Sequence, residues 1–185
     1  STNACGVPDV TVIAKIGFDH MAILGDTLAQ IAAEKAGIIK HGTALVLESQ
    51  EKEAMDVLNK AAERADIKTI KVVNLDEIRI LPQKDGKQCF SYAGYDAVTM
   101  KMLGVHQYEN AVAAMLAAEL FFEKYFAGKK NVPERKALQH AIREGIDRTQ
   151  WMGRMELVSN DPFFLMDGAH NSNGVEALKK SLETM

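Results

Sequence analysis

The spacing of apolar and polar positions divides this chain into stretches of different texture. Asp9 to Ile16 is rich in Val, Ile and Thr and breaks at Gly17, which predicts a strand. A helix is expected from Asp26, whose carboxylate can cap free amide donors, to Ala36, with Gly37 as its stop. Thr43 to Leu47 reads as a buried strand. Ser49 then opens a helix with Glu51 and Glu53 in its first turn, running to Ala65, and Thr69 to Val73 is a third strand. Strand, helix, strand, helix, strand is the order of a parallel sheet with covering helices, so the fold class is α/β.

After Asn74 the apolar segments shorten and partly alternate: Ile78 to Leu81, Cys89 to Tyr92 and Tyr95 to Met102. Asp85-Gly86 between the first two is a hairpin turn, and the three strands read as an antiparallel excursion at the edge of the α/β layer. Two helices are expected next, Tyr108 to Phe126 and Pro133 to Ile146, with Pro133 at a favoured first helical position. Asp147 to Gly153 reads as a linker. Met155 to Ser159 and Phe163 to Met166 then form strands joined by Asn160-Asp161-Pro162, and a helix follows. The expected organisation is one domain over residues 1–150 and the opening β-β-α unit of a second over 151–185.

Composition narrows the function classes. Hydrophobic residues make up 47% and charged residues 25%, as in ordinary soluble domains. The net charge of -3, with scattered Lys and Arg whose densest cluster is Lys129-Lys130, argues against nucleic acid as a partner. The most apolar stretch, Ala111 to Phe122, is too short for a membrane span and holds Glu119. No basic region leads into an apolar one near the start. The cysteines, Cys5 and Cys89, have no CxxC spacing, so neither a metal finger nor a disulfide framework is indicated and a reduced, cytoplasmic setting is expected.

Several residues carry chemistry. Leu28, Ile31, Ala32 and Lys35 fall at i, i+3, i+4 and i+7, placing Lys35 on an apolar helix face. It either snorkels to solvent near the helix end, or lies buried with a lowered pKa as a nucleophile or carbamate. Asp19-His20 follows the first strand, where a histidine can ligate a cation or bond a phosphate, and can equally cap and pack. His106 and Gln107 open a helix at the end that favours anions, with Asn110 one turn in. Arg154 follows Gly153 at the domain junction, where a guanidinium can reach a triphosphate or simply lie on a strand edge. Asp167-Gly168-Ala169-His170-Asn171 ends an apolar strand with two ionisable groups around a small turn, which reads as a site. His41 and His140 read as ordinary turn and helix residues.

Taken together, Gly17-x-Asp19-His20, Leu24-Gly25-x-Thr27, Glu34-Lys35-Ala36-Gly37, His106-Gln107-x-x-Asn110, Gly153-Arg154 and Asp167-Gly168-Ala169-His170-Asn171 resemble the folylpolyglutamate synthase and dihydrofolate synthase family, the folate branch of the Mur-type ATP-dependent amide ligases. The resemblance implies a partial three-layer, parallel-sheet central ATPase domain with an antiparallel excursion, followed by the first β-β-α unit of a Rossmann-like C-terminal glutamate-ligase domain. It also implies that His20 ligates Mg²⁺, that Lys35 is carbamylated and catalytic, that Asn110, Arg154 and Asp167 contact ATP, and that His170 acts on the phosphates. ATP and Mg²⁺ are then the cofactors, and folate or dihydropteroate and L-glutamate the substrates, of a monomeric parent enzyme with no nucleic-acid or membrane partner. The family's P-loop has no counterpart here, and Ser1-Thr2-Asn3 resembles the tail of a second metal-binding element. The expectation is therefore a middle section of a longer enzyme, inactive alone, with an exposed sheet edge. A Mur-type ligase for cell-wall precursors and a non-catalytic binding module are the alternatives.

Overall fold

In the computed structural model, which describes residues 6–19 and 21–184, the Val/Ile/Thr run is a strand only over Val10–Ile13 (β1). It pairs in parallel with Ala44–Leu47 (β2), and β2 pairs in parallel with Ile70–Val72 (β3), in the order β1-β2-β3. These strands, with Met21–Leu24 (α1), Leu28–Ala36 (α2) and Lys52–Arg64 (α3), belong to a compact unit built from the residues up to Val73 and from Ala113–Val132. Leu45 and Leu47 on one face of β2 join Ile13, Ile31, Ala32, Ala54 and Leu58 in a core. Val46 points the other way and is just as fully buried, as expected of a parallel strand covered on both faces. Among the described residues β1 and β3 are the sheet edges.

The caps differ from the sequence expectation. Thr27, not Asp26, closes α2: its hydroxyl accepts the Gln30 N–H at 3.2 Å while Gln30 Oε1 accepts the Thr27 N–H at 3.2 Å. This is a reciprocal capping box. Gly25 is required beside it, since φ is +106° and a Cβ would stand 2.6 Å from Gln30. Thr27→Ala is expected to lower stability by about 1 kcal/mol in thermal unfolding. An unchanged melting temperature would show that the box contributes nothing. At α3 the cap position is Glu51 rather than Ser49, with no side-chain cap bond.

The second unit comprises Asn74–Val112 and the chain from Pro133 on. Arg79–Lys84 (β4), Lys87–Tyr92 (β5) and Tyr95–Met100 (β6) form an antiparallel sheet of their own, in the order β4-β5-β6. Asp85-Gly86 turns the first hairpin with φ of 52° and 73°, and Ala93-Gly94 the second with 44° and 85°. Left-handed conformations at both positions are what a two-residue hairpin turn of matching twist needs. The central strand β5 is the buried one, contributing Cys89, Phe90 and Tyr92 to this unit's core.

The helix His106–Phe126 (α4) begins two residues earlier than the pattern suggested and passes from this unit into the first. Arg135–Arg148 (α5) has Glu134 as its cap, so Pro133 precedes the helix instead of occupying its first turn. The expected linker also starts later, because α5 includes Asp147. That carboxylate takes Lys87 Nζ at 2.7 and 2.9 Å and the Thr99 hydroxyl at 2.6 Å, which hold it below the usual carboxylate range. Glu156–Asn160 (β7) and Phe163–Met166 (β8) pair antiparallel, and Ser172–Glu183 (α6) follows, capped by Asn171 Oδ1 accepting the Gly174 N–H at 2.8 Å. No helix among the described residues is long and apolar enough to cross a membrane.

Candidate functional site

The start of α4 is built by contacts from distant parts of its unit. Buried Gln88 on β5 donates from Nε2 to the carbonyls of Met102 at 2.9 Å and Gly104 at 3.2 Å. Ser181 on α6, also buried, accepts the Val105 N–H at 3.1 Å and donates to the Ala177 carbonyl at 2.7 Å. Gly104 has φ +110°, and a Cβ there would lie 2.8 Å from both His106 Cε1 and Met155 Sδ. Only glycine fits this turn, which brings the His106 ring and the Met155 side chain together.

A chain of side-chain hydrogen bonds runs along the first turn. Asn110 Nδ2 donates to Gln107 Oε1 at 3.0 Å, and Gln107 Nε2 lies 3.0 Å from His106 Nε2, which accepts from it. The other imidazole nitrogen, Nδ1, is buried with no hydrogen-bond partner among the described residues. Burial, opposed by the Asp167 carboxylate and seconded by the positive charge of Arg154, holds His106 below the usual imidazole value.

Asp167, at the end of β8, accepts the Met155 N–H at Oδ2 and the Ala169 N–H at Oδ1, both at 2.8 Å. The first bond straps the segment carrying Arg154 to the end of β8. Gly168 lies against this segment: a Cβ there would stand 3.4 Å from the Gly153 carbonyl and 3.5 Å from Arg154 Nη1. His170 bonds the Gly168 carbonyl through Nδ1 at 2.7 Å and is exposed.

These elements enclose a cleft of about 490 Å³ lined by Met102, His106, Gln107, Asn110, Thr149, Trp151 and Arg154. Asn110 and Arg154, 44 positions apart by their numbers, thus face one cavity. Neither Asp167, which holds Met155 next to Arg154, nor His170 is among its lining residues. A second cavity, of about 440 Å³, lies in the first unit at the leading ends of β2 and β3 among His41, Asp66, Lys68 and Lys124. Parallel sheets carry their sites at the opposite, trailing ends of the strands.

Sequence reasoning placed His106 and Gln107 at an anion-favouring helix start without a side-chain role, and left Thr149 and Trp151 within the expected linker. Trp151 offered a signal, being the single tryptophan of the chain and placed in the segment expected as a linker; it is 71% exposed.

Two further predicted residues stand differently. Of the two readings open for Lys35, the solvent-facing one is seen: α2 buries Ile31, Ala32 and Ala36, and Lys35 is exposed. A helix turns about 100° per residue, so the stripe through Ile31 and Ala32 reaches both positions 35 and 36, and the small apolar side chain takes the buried one. His20 lies outside the described residues.

The donor set of the cleft suits a purine nucleotide. An exposed indole offers a stacking face, a guanidinium pairs with phosphate, and a side-chain amide offers a donor and an acceptor to a base edge. No three His, Cys, Asp or Glu side chains gather as a metal site among the described residues.

The family described as Mur ligase middle domain matches residues 2–118. The dihydrofolate synthase/folylpolyglutamate synthase of Bacillus subtilis is 36% identical over 95% of this chain and 40% of its own length. A folylpolyglutamate synthase of Arabidopsis thaliana is 35% identical over 97% of this chain and 31% of its own length. Among solved structures, Mycobacterium tuberculosis folylpolyglutamate synthase complexed with ADP superposes with a TM-score of 0.79 at 30% identity, covering 98% of this chain and 40% of that one. An FPGS-AMPPCP-folate complex, at 24% identity, shares the fold with a TM-score of 0.84 over 96% of this chain and 42% of its own. The chain therefore spans 40% or less of the length of these curated relatives. It belongs to the Mur ligase family, whose middle domain its residues 2–118 match, and its match to folylpolyglutamate and dihydrofolate synthases bears out the resemblance read from its motifs.

Proposed function

We propose that this chain is the nucleotide-handling part of an ATP-dependent ligase that adds L-glutamate to folate or to dihydropteroate. In the reaction, an oxygen of the substrate carboxylate attacks the γ-phosphorus of ATP, releasing ADP and leaving an acyl phosphate. The glutamate amine then attacks the acyl carbon, expels phosphate and loses a proton, giving an amide. The observation that carries this reading is the cleft in which Asn110, Arg154 and Trp151 converge. Likeness to an enzyme solved with ADP supports the choice of nucleotide.

Arg154 would meet the phosphates and Asn110 the base. Asp167 would act through the strap it forms on Met155, and His170 would reach the phosphates from the turn after β8. As the motifs imply, His20 would ligate Mg²⁺ and Lys35 would carry a carbamate. The proposed domain boundary near residue 150 lets Arg154 begin the C-terminal domain. A monomeric, cytoplasmic parent completes the proposal.

The test is calorimetric titration of the complete protein with ADP, together with folate- and glutamate-dependent ADP release. Arg154→Ala is expected to weaken ADP binding about tenfold or more, since one charge-assisted bond is worth about 1.5–3 kcal/mol. Asn110→Ala should weaken it about three- to tenfold. Unchanged ADP affinity in both variants would refute the site, and ADP release without any dependence on a folate would refute the substrate.

A further inference from the structure

We propose that His106 is a positioning residue: by accepting the Gln107 amide at Nε2 it fixes which way the Asn110 amide faces the cleft, so that protonating His106 weakens purine nucleotide binding. This rests on the nucleotide reading of the cleft.

The relay has polarity. A side-chain amide has distinct donor and acceptor ends, and buried Gln107 spends one on each neighbour: Oε1 on Asn110 at 3.0 Å, Nε2 on His106 at 3.0 Å. Two amides and one imidazole in a row have two self-consistent settings. In the setting of this structure Asn110 turns one N–H inward, leaving its carbonyl oxygen and second N–H for the cleft. An acceptor beside a donor is the complement of the N6–H and N7 edge of adenine.

If Nε2 acquires a proton, two donors face one another across the His106–Gln107 contact. Gln107 must turn over to present Oε1 to the imidazolium, which puts its NH₂ against that of Asn110. Asn110 must then turn over as well, and its carbonyl goes inward. One proton on a residue inside the wall thus reverses the hydrogen-bonding face shown to the base.

The surroundings of the ring decide where this happens. Asp167, from the end of β8, favours the imidazolium, while Arg154, from the preceding segment, opposes it. Gly104 lies against the ring and supplies no charge, and the buried Nδ1, which carries the proton of the neutral ring, has no acceptor among the described residues to favour the cation. Burial dominates, so the ring stays neutral to a lower pH than an ordinary histidine. The relay is set for binding near neutrality and reverses in acid.

The test is the ADP affinity of the complete protein from about pH 5 to pH 8, where histidines titrate. The wild type is compared with His106→Phe, which keeps a ring but has no acceptor, and with Gln107→Glu, whose carboxylate accepts from both neighbours. The nucleotide's own ionisation acts on all three alike. Wild-type affinity should fall about three- to tenfold in acid beyond that common change, as expected for losing one oriented hydrogen bond. His106→Phe should be weaker near neutrality and lack the extra acid loss. Gln107→Glu should also lack it, because its carboxylate holds Asn110 in place whichever state His106 adopts. The His106 tautomer, read by ¹⁵N NMR of the histidine-labelled wild type, should be Nδ1–H at neutral pH. His106→Phe with wild-type affinity and pH profile, or an Nε2–H tautomer, would overturn the proposal while leaving the nucleotide site intact. If His106→Phe does not fold, Gln107→Glu and the tautomer still decide. A wild type that binds no ADP at any pH would overturn the nucleotide reading itself.

Discussion

Phe90→Ala is expected to destabilise the protein by about 3–5 kcal/mol, the range for truncating a fully buried aromatic side chain. Phe90 sits mid-way along β5, the central strand of its sheet, between Ile80 on β4 and Val98 on β6, and is 0% exposed. Its ring meets Tyr108 of α4 edge-on, with centroids 5.7 Å apart and planes at 77°. That geometry adds about 0.5–1.5 kcal/mol beyond the buried area. Removing the ring opens a cavity under the first turn of α4, the turn that carries His106, Gln107 and Asn110. ADP affinity should therefore fall in the variant even under conditions where it remains folded. Phe90→Leu, which keeps most of the volume, should cost about 1.5 kcal/mol or less. Urea unfolding distinguishes the two, and a loss under 1 kcal/mol for Phe90→Ala would mean that this sheet and α4 do not share a core.

The layered part of this fold was legible because its signals are local. Val, Ile and Thr in β1 and the all-apolar run of β2 announce strands whatever surrounds them. Asp85-Gly86 can hardly be anything but a tight hairpin. The misread and open positions fell where two neighbours compete for one role. Asp26 and Thr27 can both cap a helix, and the choice went to the residue whose hydroxyl pairs with Gln30 in both directions. Lys35 and Ala36 both lie within reach of the apolar stripe, and burial selects the residue without a charge. The candidate site was legible as motifs but not as geometry. Asn110 and Arg154 could be named from the sequence. What joins them is the bond from Gln88 to the turn before α4, the Ser181 hydroxyl under Val105 and the Asp167 strap on Met155. Those contacts span 14, 76 and 12 positions, and no local pattern announces them.

The last of these carries the second large effect. Asp167→Ala is expected to cost about 2–3 kcal/mol of stability, because a half-buried carboxylate that accepts two backbone N–H groups is worth more than one neutral hydrogen bond. The Met155 amide is the more demanding partner. Met155 is buried and holds φ at 44°, a left-handed conformation that a side chain adopts only where surrounding bonds impose it. Without the Asp167 oxygen the strain at Met155 is free to relax, and Arg154, the adjacent residue, leaves the cleft wall. ADP affinity should fall with stability, about tenfold, without any direct bond from Asp167 to the nucleotide. Asp167→Asn separates the two roles: its single carbonyl oxygen can serve only one of the two amides, so stability should be intermediate. If Asp167→Ala instead keeps wild-type stability and loses only affinity, the carboxylate is a ligand contact and not a strap. The charge has a further consequence at His106. Asp167 favours the imidazolium, so its removal lowers the His106 pKa further, and the acid loss of nucleotide affinity should move to lower pH in both variants.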